Sequence, residues 1–600
     1  MTSTTVQSRR PNSVVDRLPF DILHEIFQLH SNDISWDIRD YSDASTAGYK
    51  SRLAAGYNPL DSATTISHVC RGWRADILRM PAIWGRLMDT EYFRDSEEWW
   101  WEVLRRTGST ASLWIRCCTY PPWVQNKFEK ERNTHGSTAC SKPLVVSKSR
   151  YLLLNFVLPV LSKQGSRVVR VHLSPHRDAY WGIGSGHWRG LGSLTNVQFV
   201  IFSMAHDITE KNHRIGRYWV LNPAARFLTE WILTNHHSFL PRCDISRLTT
   251  LHLIAAELPL NVVLGVLRHS SSLEELRIDG PAQLGVALDK YELDKVLPLT
   301  ECDQLDLPHL RRVEIISHFP LAVITLPRIR SLGDKVYTIK IVADLSTHFD
   351  EMEASSLLSS LEQDLPAFAI MLRNQISINV TRWSTKEQQV SGGPGEWWES
   401  EVDMSFADNN FSIKLGTYES LVDGHEIEVN ISGWGTETSH HWLLSFLHTH
   451  LVKDSPLNGV KNIDLTIAGE CLKNYGEDIC QLLLTTPSIR YLRASPTFFA
   501  AFVHHTSTIK DHSHSREPFS ELKCVAVNSN DLRRFDNPNA VDIACIVPFV
   551  WLLDGQGIQL DSLSLEAFMV NTPADARTLE DRVMDLIPVG SVKAVDAWVY

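Results

Sequence analysis

The sequence predicts an α/β protein, with a small N-terminal unit of three helices followed by an irregular solenoid of stacked αβ units. Amphipathic helical patterns fill the N-terminal segment, and a short apolar pattern typical of strands then returns along the rest of the chain. The length of 600 residues also exceeds the roughly 250–300 residues at which a single hydrophobic core stops growing. Several domains or one repeat array are therefore expected.

Composition and charge narrow the class of protein. Apolar residues make up 43% of the chain and charged residues 21%, which is ordinary for a globular protein. The net charge of -12 gives no sign of the basic face that nucleic-acid binding needs, so no nucleic-acid partner is predicted. The ten cysteines show no CxxC spacing and indicate reduced thiols, hence a cytoplasmic and/or nuclear protein. Without a signal-peptide core or an apolar run of about 18 residues, neither secretion nor a membrane partner is predicted.

The N-terminal unit is predicted over residues 14–88, after a disordered tail at residues 1–13. Its first helix is predicted in RLPFDILHEIFQLH, where apolar residues recur on one face and a proline suits the first turn. A second helix is predicted in SATTISHVCRGWRADILR and a short third one in PAIWGRL. Residues 31–61 are rich in Asp, Ser, Gly and Tyr and predict an inserted surface loop, which adds little closure entropy.

A specific set of residue types occurs in a fixed order in these helices. Leu-Pro, Ile-Phe, Val-Cys-Arg-x-Trp and a further Trp follow one another, and this order resembles an F-box of the fungal type, which carries a similar insertion. The resemblance implies three small helices that dock on the Skp-type adaptor of an SCF (Skp–cullin–F-box) ubiquitin ligase, and through it on cullin and a RING protein. It further implies that the docking surface is built or braced by Leu18, Pro19, Ile22, Ile26, Val69, Cys70, Trp73 and Trp84. The residues alone leave open that the helices only cap the array.

A helix, a glycine stop and a strand follow the F-box-like unit. The helix is predicted over Trp99–Arg106, the stop at Gly108 and the strand over Leu113–Cys117. Because consecutive residues face different sides of a helix, the three adjacent tryptophans are not predicted to form a binding platform. Two of them should pack and one should be half exposed.

One apolar pattern, with spacing L-x-x-L-x-L, predicts an irregular leucine-rich-repeat-like array over residues 89–600. Its last two positions should share one face of a short strand, and its first should close the turn before it. Its instances are Val168–Val171–Leu173, Leu194–Val197–Phe199, Leu248–Leu251–Leu253, Leu273–Leu276–Ile278, Leu310–Val313–Ile315, Val336–Ile339–Ile341, Val460–Ile463–Leu465, Ile489–Leu492–Ala494, Leu522–Val525–Val527 and Leu560–Leu563–Leu565.

Helical patterns between these strands favour stacked αβ units with a parallel sheet. The predicted helices are Tyr151–Leu161, Ala224–Leu233, Pro259–Leu267, Leu357–Leu372, Leu443–Leu451, Ile479–Leu484 and Val541–Leu552. The Asn or Cys that usually follows the strand motif is absent, so the turns must be satisfied otherwise. Residues 342–459 hold no clear instance and contain strand-like alternation at Glu426–Ile431, which predicts a distorted or inserted centre. A generic α/β fold with chance matches is the alternative.

These predictions lead to a function without chemistry. A repeat array offers an extended surface that suits another macromolecule, so we expect a substrate-recruiting adaptor of an SCF-type ligase that holds an unknown protein substrate. The alternative is a non-catalytic repeat scaffold without ligase docking. No catalytic residues, cofactor or metal ligands are predicted.

One histidine-rich segment offers an alternative function, that of a hydrolase or metalloenzyme. His504, His505, His512 and His514 lie with Asp511 in HHTSTIKDHSH, and imidazoles with a carboxylate are zinc ligands. No HExxH or CxxC accompanies them, and the Ser/Thr-rich composition predicts a solvated loop. A metalloenzyme would retain stoichiometric zinc through purification, which discriminates it from an adaptor. The glycine-rich stretch Gly182–Gly192 lacks the GKS or GKT of a phosphate-binding loop.

Overall fold

The computed structural model is mixed α/β, with a largely parallel sheet whose strands are joined by helical connections, and this confirms the predicted α/β class. It describes residues 21–22, 24–26, 65, 67–68, 71–86, 88–90, 97–118, 151–174, 193–203, 227–234, 245–254, 260–279, 304–316, 319–330, 338–344, 364–390, 400–407, 410–417, 426–432, 449–450, 453, 457–467, 469–509, 519–528, 546–566, 569–570, 580–581, 583–595 and 598–599.

The chain forms two compact units. Unit 1 comprises Met1–Leu251 and Ala256–Leu258, and unit 2 comprises His252–Ala255 and Pro259–Tyr600. The division falls inside one strand, Thr250–Ile254. No helix among the described residues is both long and apolar enough to cross a membrane.

Unit 1 begins with short helices and continues with parallel strands. Its helices are α1 (Arg71–Leu78), α2 (Pro81–Arg86), α3 (Glu97–Arg106) and α4 (Leu158–Gln164), the last preceded by a π-helical turn at Leu153–Val157. Its strands are β1 (Met88–Asp89), β2 (Leu113–Cys118), β3 (Val168–Ser174), β4 (Phe199–Ser203), β5 (Glu230–Thr234) and β6 (Thr250–Ile254) at the division. Strands β1 to β5 pair in sequence order, all parallel.

The structure confirms the predicted helix α3 and the predicted burial of its three tryptophans. Trp100 is fully buried, Trp99 is partly buried under the Arg106 guanidinium at 5.1 Å from the ring centroid, and Trp101 is the most exposed of the three. Gly108 follows the helix with φ 60°, a left-handed conformation that glycine adopts at little cost. The helix therefore ends where the sequence predicted.

Strand register corrects one of the predicted repeats. Val171 and Leu173 of β3 lie opposite Val200 and Phe202 of β4, so Phe199 is opposite Arg170 on the other face of the sheet. The instance Leu194–Val197–Phe199 was therefore wrong by three residues, and the equivalent set is Val197–Val200–Phe202. The segment FVIF at residues 199–202 has no alternation because both of its faces are apolar and buried, so periodicity could not fix the register.

Strand β5 corrects a predicted helix. Ala224–Leu233 was predicted as helical, but Glu230–Thr234 is a strand that pairs with β4, and Trp231 lies opposite Val200. Spacing of Phe227, Leu228 and Trp231 fits a helix, and Leu228–Trp231–Leu233 also fits the strand motif. The backbone N–H groups of Thr229 and Glu230 both donate to the Gln198 carbonyl, at 2.8 and 3.0 Å, and so join this segment to the sheet.

Unit 2 alternates strands and helices for most of its length. Its helices are α5 (Leu260–Arg268), α6 (Phe319–Thr325), α7 (Leu365–Val390), α8 (Gly469–Leu484), α9 (Pro496–Ile509) and α10 (Val547–Asp554). Its strands are β7 (Glu275–Asp279), β8 (Arg312–Ile316), β9 (Thr338–Asp344), β10 (Ser400–Ala407), β11 (Asn410–Thr417), β12 (Glu426–Ser432), β13 (Asn462–Ile467), β14 (Tyr491–Ala494), β15 (Cys524–Asn528), β16 (Ser562–Glu566), β17 (Met569–Val570), β18 (Val592–Val595) and β19 (Trp598–Val599).

The predicted helices of both units fare unevenly. The helix predicted at Pro259–Leu267 is confirmed within one residue at each end. The one predicted at Tyr151–Leu161 is helical and continues to Gln164, and Ile479–Leu484 is the C-terminal part of the longer helix α8. Helices α7 and α10 overlap the C-terminal parts of Leu357–Leu372 and Val541–Leu552. Most of the predicted helix Leu443–Leu451 lies outside the described residues, and helices α6 and α9 were not predicted at all.

The predicted irregularity at 342–459 is an antiparallel insertion. Strand β9 pairs in parallel with β12, which pairs antiparallel with β11, which pairs antiparallel with β10, and β10 pairs in parallel with β13. The strand-like stretch at Glu426–Ile431 is confirmed as β12. Because the insertion enters and leaves through parallel pairs, the register of the buried rows continues through it.

The motif residues form continuous rows across unit 2. Leu276, Val313 and Ile339 lie opposite one another in neighbouring strands, as do Ile463, Leu492, Val525 and Leu563. All of these side chains are buried, and each such burial stabilises by about 1.5–3 kcal/mol. The remaining predicted motifs are thus confirmed as strand cores, although Val336 lies outside the described residues.

The first motif position closes a turn, as predicted. The Leu248 N–H donates to the Ile245 carbonyl at 3.0 Å, and Leu273, Leu310, Val460 and Leu522 repeat this bond three residues back. In place of the missing Asn or Cys, one carbonyl accepts two N–H groups of the next repeat. The Lys461 carbonyl accepts from Arg490 and Tyr491 at 2.7 and 3.0 Å, for example. The turns are therefore satisfied by the backbone of the neighbouring repeat.

Candidate functional site

The structure divides the predicted docking residues. Leu18, Pro19, Val69 and Cys70 lie outside the described residues. Of the other four, Ile22 is 47% exposed in a helical segment, Ile26 and Trp73 are half-buried, and Trp84 is 1% exposed. Trp84 is therefore part of the unit's own core, whereas about half of the Ile22 surface remains exposed.

Trp84 closes a small core between α1 and α2. Its indole Nε1–H donates to the Ile77 carbonyl at 2.9 Å, which satisfies a carbonyl at the end of α1. The Arg106 guanidinium of α3 lies over its ring, 4.5 Å from the centroid. Pro81 begins α2, where its missing N–H costs nothing. A Cβ at Gly85 would lie 2.2 Å from the Ser112 carbonyl oxygen, so glycine lets α2 approach the turn before β2.

Helix α1 also leaves apolar surface outside. Leu78 is 39% exposed while its neighbour Ile77 is completely buried. A helix end with one isoleucine inside and one leucine outside can contribute to its own core and to a partner at the same time. Ile22 and Leu78 are therefore the described apolar side chains best suited to contact a partner in this part of unit 1.

Helix α3 holds an ion-pair network next to this core. The Glu102 carboxylate accepts hydrogen bonds from Arg105 Nε at 2.6 Å and from Arg106 Nε at 2.9 Å. Hydrogen bonds from these guanidinium groups lower the pKa of Glu102 to about 2. Since Arg106 also covers Trp84, the network orients the cation that lies over the buried ring.

We predict a small, pH-dependent loss of stability for Glu102→Gln. Because the folded-state pKa lies below the unfolded value of about 4.3, the stabilisation is present above about pH 5 and fades as the pH falls toward 2. Exposure of the pair keeps it within about 1 kcal/mol. The fall in thermal midpoint that the substitution causes at pH 7 should be clearly smaller at pH 3 and should nearly vanish at pH 2. Glu477→Gln, on an exposed part of α8, should match the wild type at both pH values, and equal shifts in the two variants would contradict the network's role.

The outward strand face of unit 1 is aromatic and largely closed. Arg170 lies between Trp114 and Phe199, at 4.4 and 5.3 Å from their ring centroids, and Arg86 covers the same Trp114 at 5.0 Å. Burial lowers the pKa of Arg170. On the next row, His172 is buried, and burial followed by the charge of Arg116 holds its pKa well below the usual value. This face offers stacked cations and little free polar surface.

The outward strand face of unit 2 is charged instead. On β7 and β8 the residues that alternate with the buried motif positions form the β7–β8 cluster, which comprises Glu275, Arg277, Asp279, Arg312 and Glu314. Arg277 Nη1 lies 3.4 Å from Glu314 Oε2, and Arg312 Nε donates to Glu314 Oε1 at 2.9 Å. His252 Nε2 lies 3.1 Å from Glu275 Oε1 at the edge of the cluster. Glu314 is thereby held between two guanidinium groups.

A second set, the β13–β16 cluster, comprises Asp464, Tyr491, Arg493 and Glu566. Arg493 Nη1 donates to Asp464 Oδ2 at 2.6 Å, and its Nε lies 2.6 Å from Glu566 Oε2. The Tyr491 hydroxyl lies 3.4 Å from Glu566 Oε1, and burial raises its pKa. Between Arg493 and Glu566, strand β15 carries Ala526, which is completely buried. A small residue on the intervening strand lets the arginine reach two strands away.

Backbone register links the two clusters. One row runs through the charged positions Arg277, Glu314, Lys340, Glu428, Lys414, Asp403, Asp464 and Arg493, each in register with the next. At the two ends of this row, Arg277 lies 3.4 Å from Glu314 and Arg493 contacts Asp464 on the neighbouring strands. Oppositely charged residues at directly opposite positions stabilise neighbouring strands by about 0.2–1 kcal/mol a pair.

These charged positions belong to none of the predicted sites. Their signal is the residue between the last two apolar positions of each L-x-x-L-x-L motif, together with the residues on either side. Such positions face away from the core by strand alternation. Which of them pair could not be read from the chain, because pairing needs the register between strands far apart in sequence.

The structure describes only the first part of the histidine-rich segment. In that part, the predicted loop is wrong. His504 and His505 belong to helix α9, while 510–518 lie outside the described residues. Among the described residues, no group of three or more His, Cys, Asp or Glu is placed to hold a metal ion.

Comparison with known proteins adds no relative. No protein-family model matches the chain, and no curated protein sequence matches it either.

Proposed function

We propose that the chain is a substrate-recruiting adaptor of an SCF-type ubiquitin ligase, acting in the cytoplasm and/or nucleus. Residues 14–88 would form an F-box that docks the Skp-type adaptor and, through it, cullin and a RING protein. Residues 89–600 would form a leucine-rich-repeat-like solenoid that holds the target protein. The chain does no chemistry itself, and its contribution is to raise the effective concentration of the target near the ligase by tethering.

One observation carries the docking half of this proposal. The order of F-box-type residues in the sequence coincides with short helices whose core closes around Trp84 while Leu78 and Ile22 stay exposed. Exposed apolar residues that flank a finished core favour a partner outside the chain.

The recruiting half is supported by the strand rows. Helices or connections follow most strands, the buried motif positions stay in register, and the outward positions carry polar and charged side chains. Such a surface recognises a macromolecule through many side chains on rigid strands rather than through one pocket. A non-catalytic repeat scaffold would bind its partner through the same surface, but it would not dock on the Skp-type adaptor.

The test is capture of the Skp-type adaptor by the purified full chain, with Ile22→Asp/Leu78→Asp as the docking variant. Both side chains are exposed, so the change should leave the fold intact and place carboxylates where an apolar partner surface would bury them. We expect wild type to capture the adaptor and cullin, and the variant to lose at least about tenfold of the captured adaptor. Quantitative immunoblotting of matched extracts reads the result.

Ile370→Asp/Leu586→Asp is the matched control, because it makes the same two changes at exposed positions of unit 2. It should capture as much adaptor as wild type. Circular dichroism and limited proteolysis verify that all three proteins are folded. If folded wild type captures no Skp-type adaptor, or the docking variant captures as much as the control, the ligase proposal fails and a repeat scaffold is the better description.

A further inference from the structure

Helix α7 carries two apolar stripes at helical spacing. The first stripe is buried in unit 2 and comprises Leu365, Phe368, Ala369, Leu372 and Ile376. The second stripe lines a groove between α7 and the connection at residues 327–330, and it comprises Ala367, Ile370, Met371 and Ile378. Pro327 and Ile329 form the apolar part of the opposite wall. We call this site the α7 groove.

The size and openness of the α7 groove suit a segment of polypeptide. Its volume is about 580 Å³, within the roughly 300–1,000 Å³ of ligand sites in proteins. Ile329 and Met371 are buried in it, whereas Ile370 at its rim is 41% exposed. A small-molecule site encloses most of its ligand, and the α7 groove is open along the side of Ile370. It can therefore hold a few side chains of a partner chain whose backbone stays outside.

Both walls of the groove are fixed in place. Ile329 forms a parallel bridge with Leu305, and the Arg330 N–H donates to the Leu305 carbonyl at 2.9 Å. Arg328 lies 3.4 Å from Asp364, the residue that precedes α7, so an ion pair joins the connection to the helix. A preformed groove loses less conformational entropy when a partner binds than a groove that must first be ordered.

The polar groups at the rim are hydrogen-bond donors. Arg330 is exposed, and it forms no ion pair within the part of the chain that the structure describes. Arg373 Nε and Nη2 donate to Asn374 Oδ1 at 3.2 and 3.0 Å, which places a second guanidinium beside the rim and leaves the Asn374 amide nitrogen as a donor. None of the described residues that line the groove is acidic. The rim is therefore complementary to a carboxylate.

We propose that the α7 groove binds a short segment of the recruited protein in which apolar side chains lie next to an acidic residue. The apolar side chains cover Ile370 and Met371, and the carboxylate accepts hydrogen bonds from Arg330 at the rim. A basic residue in the same place would meet a like charge. The inference rests on the proposed function, since it names a site and a chemistry by which the recruited protein is held in addition to the strand face.

The test measures binding of three fluorescein-labelled peptides to the purified full chain by fluorescence anisotropy. The peptides share one length and a glycine–serine background. The leucine–glutamate peptide carries a run of leucines followed by glutamates. The leucine–lysine peptide has lysines in place of the glutamates, and the serine–glutamate peptide has serines in place of the leucines. We expect wild type to bind the leucine–glutamate peptide at least about tenfold more tightly than either of the others.

Arg330→Glu tests the charged part of the site. It puts a carboxylate at the rim, so the preference for the leucine–glutamate over the leucine–lysine peptide should disappear. The matched control is Lys523→Glu, which makes the same reversal of charge at an exposed position. Lys523 precedes β15, which is six strand positions from β9 along the sheet. The control should keep the wild-type preference.

Ile370→Ser tests the apolar part of the site. Because it removes apolar surface that the leucines would cover, the variant should bind the leucine–glutamate peptide about fivefold more weakly than wild type. Leu586→Ser is the matched control, since it makes the same kind of change at a leucine of unit 2 that is 53% exposed. It should bind like wild type, and circular dichroism verifies that all variants are folded.

Four results would overturn the inference. They are equal binding of the two leucine peptides by wild type, equally tight binding of the serine–glutamate peptide, an unchanged preference in Arg330→Glu, and equal affinities in Ile370→Ser and Leu586→Ser. A wild-type dimer that Ile370→Ser dissociates, as measured by light scattering, would assign the groove to a second copy of the chain and would also overturn it. Since the assay contains no ligase component, its failure leaves capture of the Skp-type adaptor untouched, and failure of that capture leaves this result standing.

Discussion

Replacing Trp84 with alanine should destabilise the N-terminal helices of unit 1 by about 3–5 kcal/mol. The side chain is almost completely buried between α1, α2 and α3. Its removal leaves a cavity, frees the Ile77 carbonyl from its indole donor and takes the ring from under the Arg106 guanidinium. A small helical unit has few other contacts to offset such a loss, so the effect should be local unfolding rather than a modest shift.

Hydrogen exchange with mass spectrometry of the full chain checks this expectation. Peptides from α1, α2 and α3 should lose protection in Trp84→Ala, while peptides from α8 and α9 in unit 2 should not. Trp84→Phe keeps an aromatic ring but loses the hydrogen bond and part of the buried volume, so it should fall between wild type and alanine. Trp551→Ala is the matched control, because Trp551 is 52% exposed on α10. Protection in Trp84→Ala equal to that in Trp551→Ala would refute the bracing role.

Most strand cores could be predicted from sequence because one face is buried and the other is not. In Leu273–Leu276–Ile278 the apolar positions alternate with Glu275 and Arg277, and a one-residue slip would bury the charges. The pattern therefore fixes both the strand and its register. The same holds for Val460–Ile463–Leu465, whose alternate positions are Asn462 and Asp464.

Prediction failed where the pattern did not separate the two faces. Residues 197–202 are apolar at nearly every position, so the motif fits equally well at Leu194–Val197–Phe199 and at Val197–Val200–Phe202. At β5 the apolar residues fit helical and strand spacing alike, and hydrogen bonds to the preceding repeat decided the outcome. In both places the deciding contacts come from a neighbouring strand, which a single segment of sequence cannot supply.

The sequence could identify residues of the candidate surfaces, but it could not predict their burial or their contacts. The F-box-like order of residues identified Trp84 and Ile22 together, but it could not tell that one is inside the core and the other outside. On the strand face, Arg493 reaches Asp464 on the preceding strand and Glu566 two strands further on. The contact between Arg493 and Glu566 depends on the small Ala526 between them, and no local sequence pattern predicts this contact.

The second large effect is expected for Arg328→Ala, which should destabilise the packing of α6 and α7 by about 3–5 kcal/mol. Arg328 is almost completely buried at the end of a 3-10 turn, donates to the Ile324 carbonyl and lies 3.4 Å from Asp364. Asp364 precedes α7, and its carbonyl accepts the Phe368 N–H at 3.0 Å. Without the guanidinium, a half-buried carboxylate remains at the start of that helix.

The pH dependence has a definite sign. Burial already raises the pKa of Asp364, and Arg328 opposes that shift. Loss of Arg328 should raise the pKa further, so the folded variant holds a proton that the unfolded chain releases. The cost of the substitution is therefore full at neutral pH and declines as the pH falls through the folded-state pKa of Asp364.

Hydrogen exchange of peptides from α6 and α7 measures the loss, and two further variants establish its cause. Arg328→Met/Asp364→Leu removes both charges and keeps most of the volume, so it should recover much of the lost protection. Arg490→Ala breaks an exposed ion pair, 3.1 Å from Arg490 Nε to Glu521 Oε2, and should cost no more than about 1 kcal/mol. If Arg328→Ala destabilised the protein as little as Arg490→Ala, burial would not increase the contribution of the Arg328–Asp364 ion pair to stability. If the double variant were as unstable as the single one, the carboxylate left behind would not be the cause of the loss.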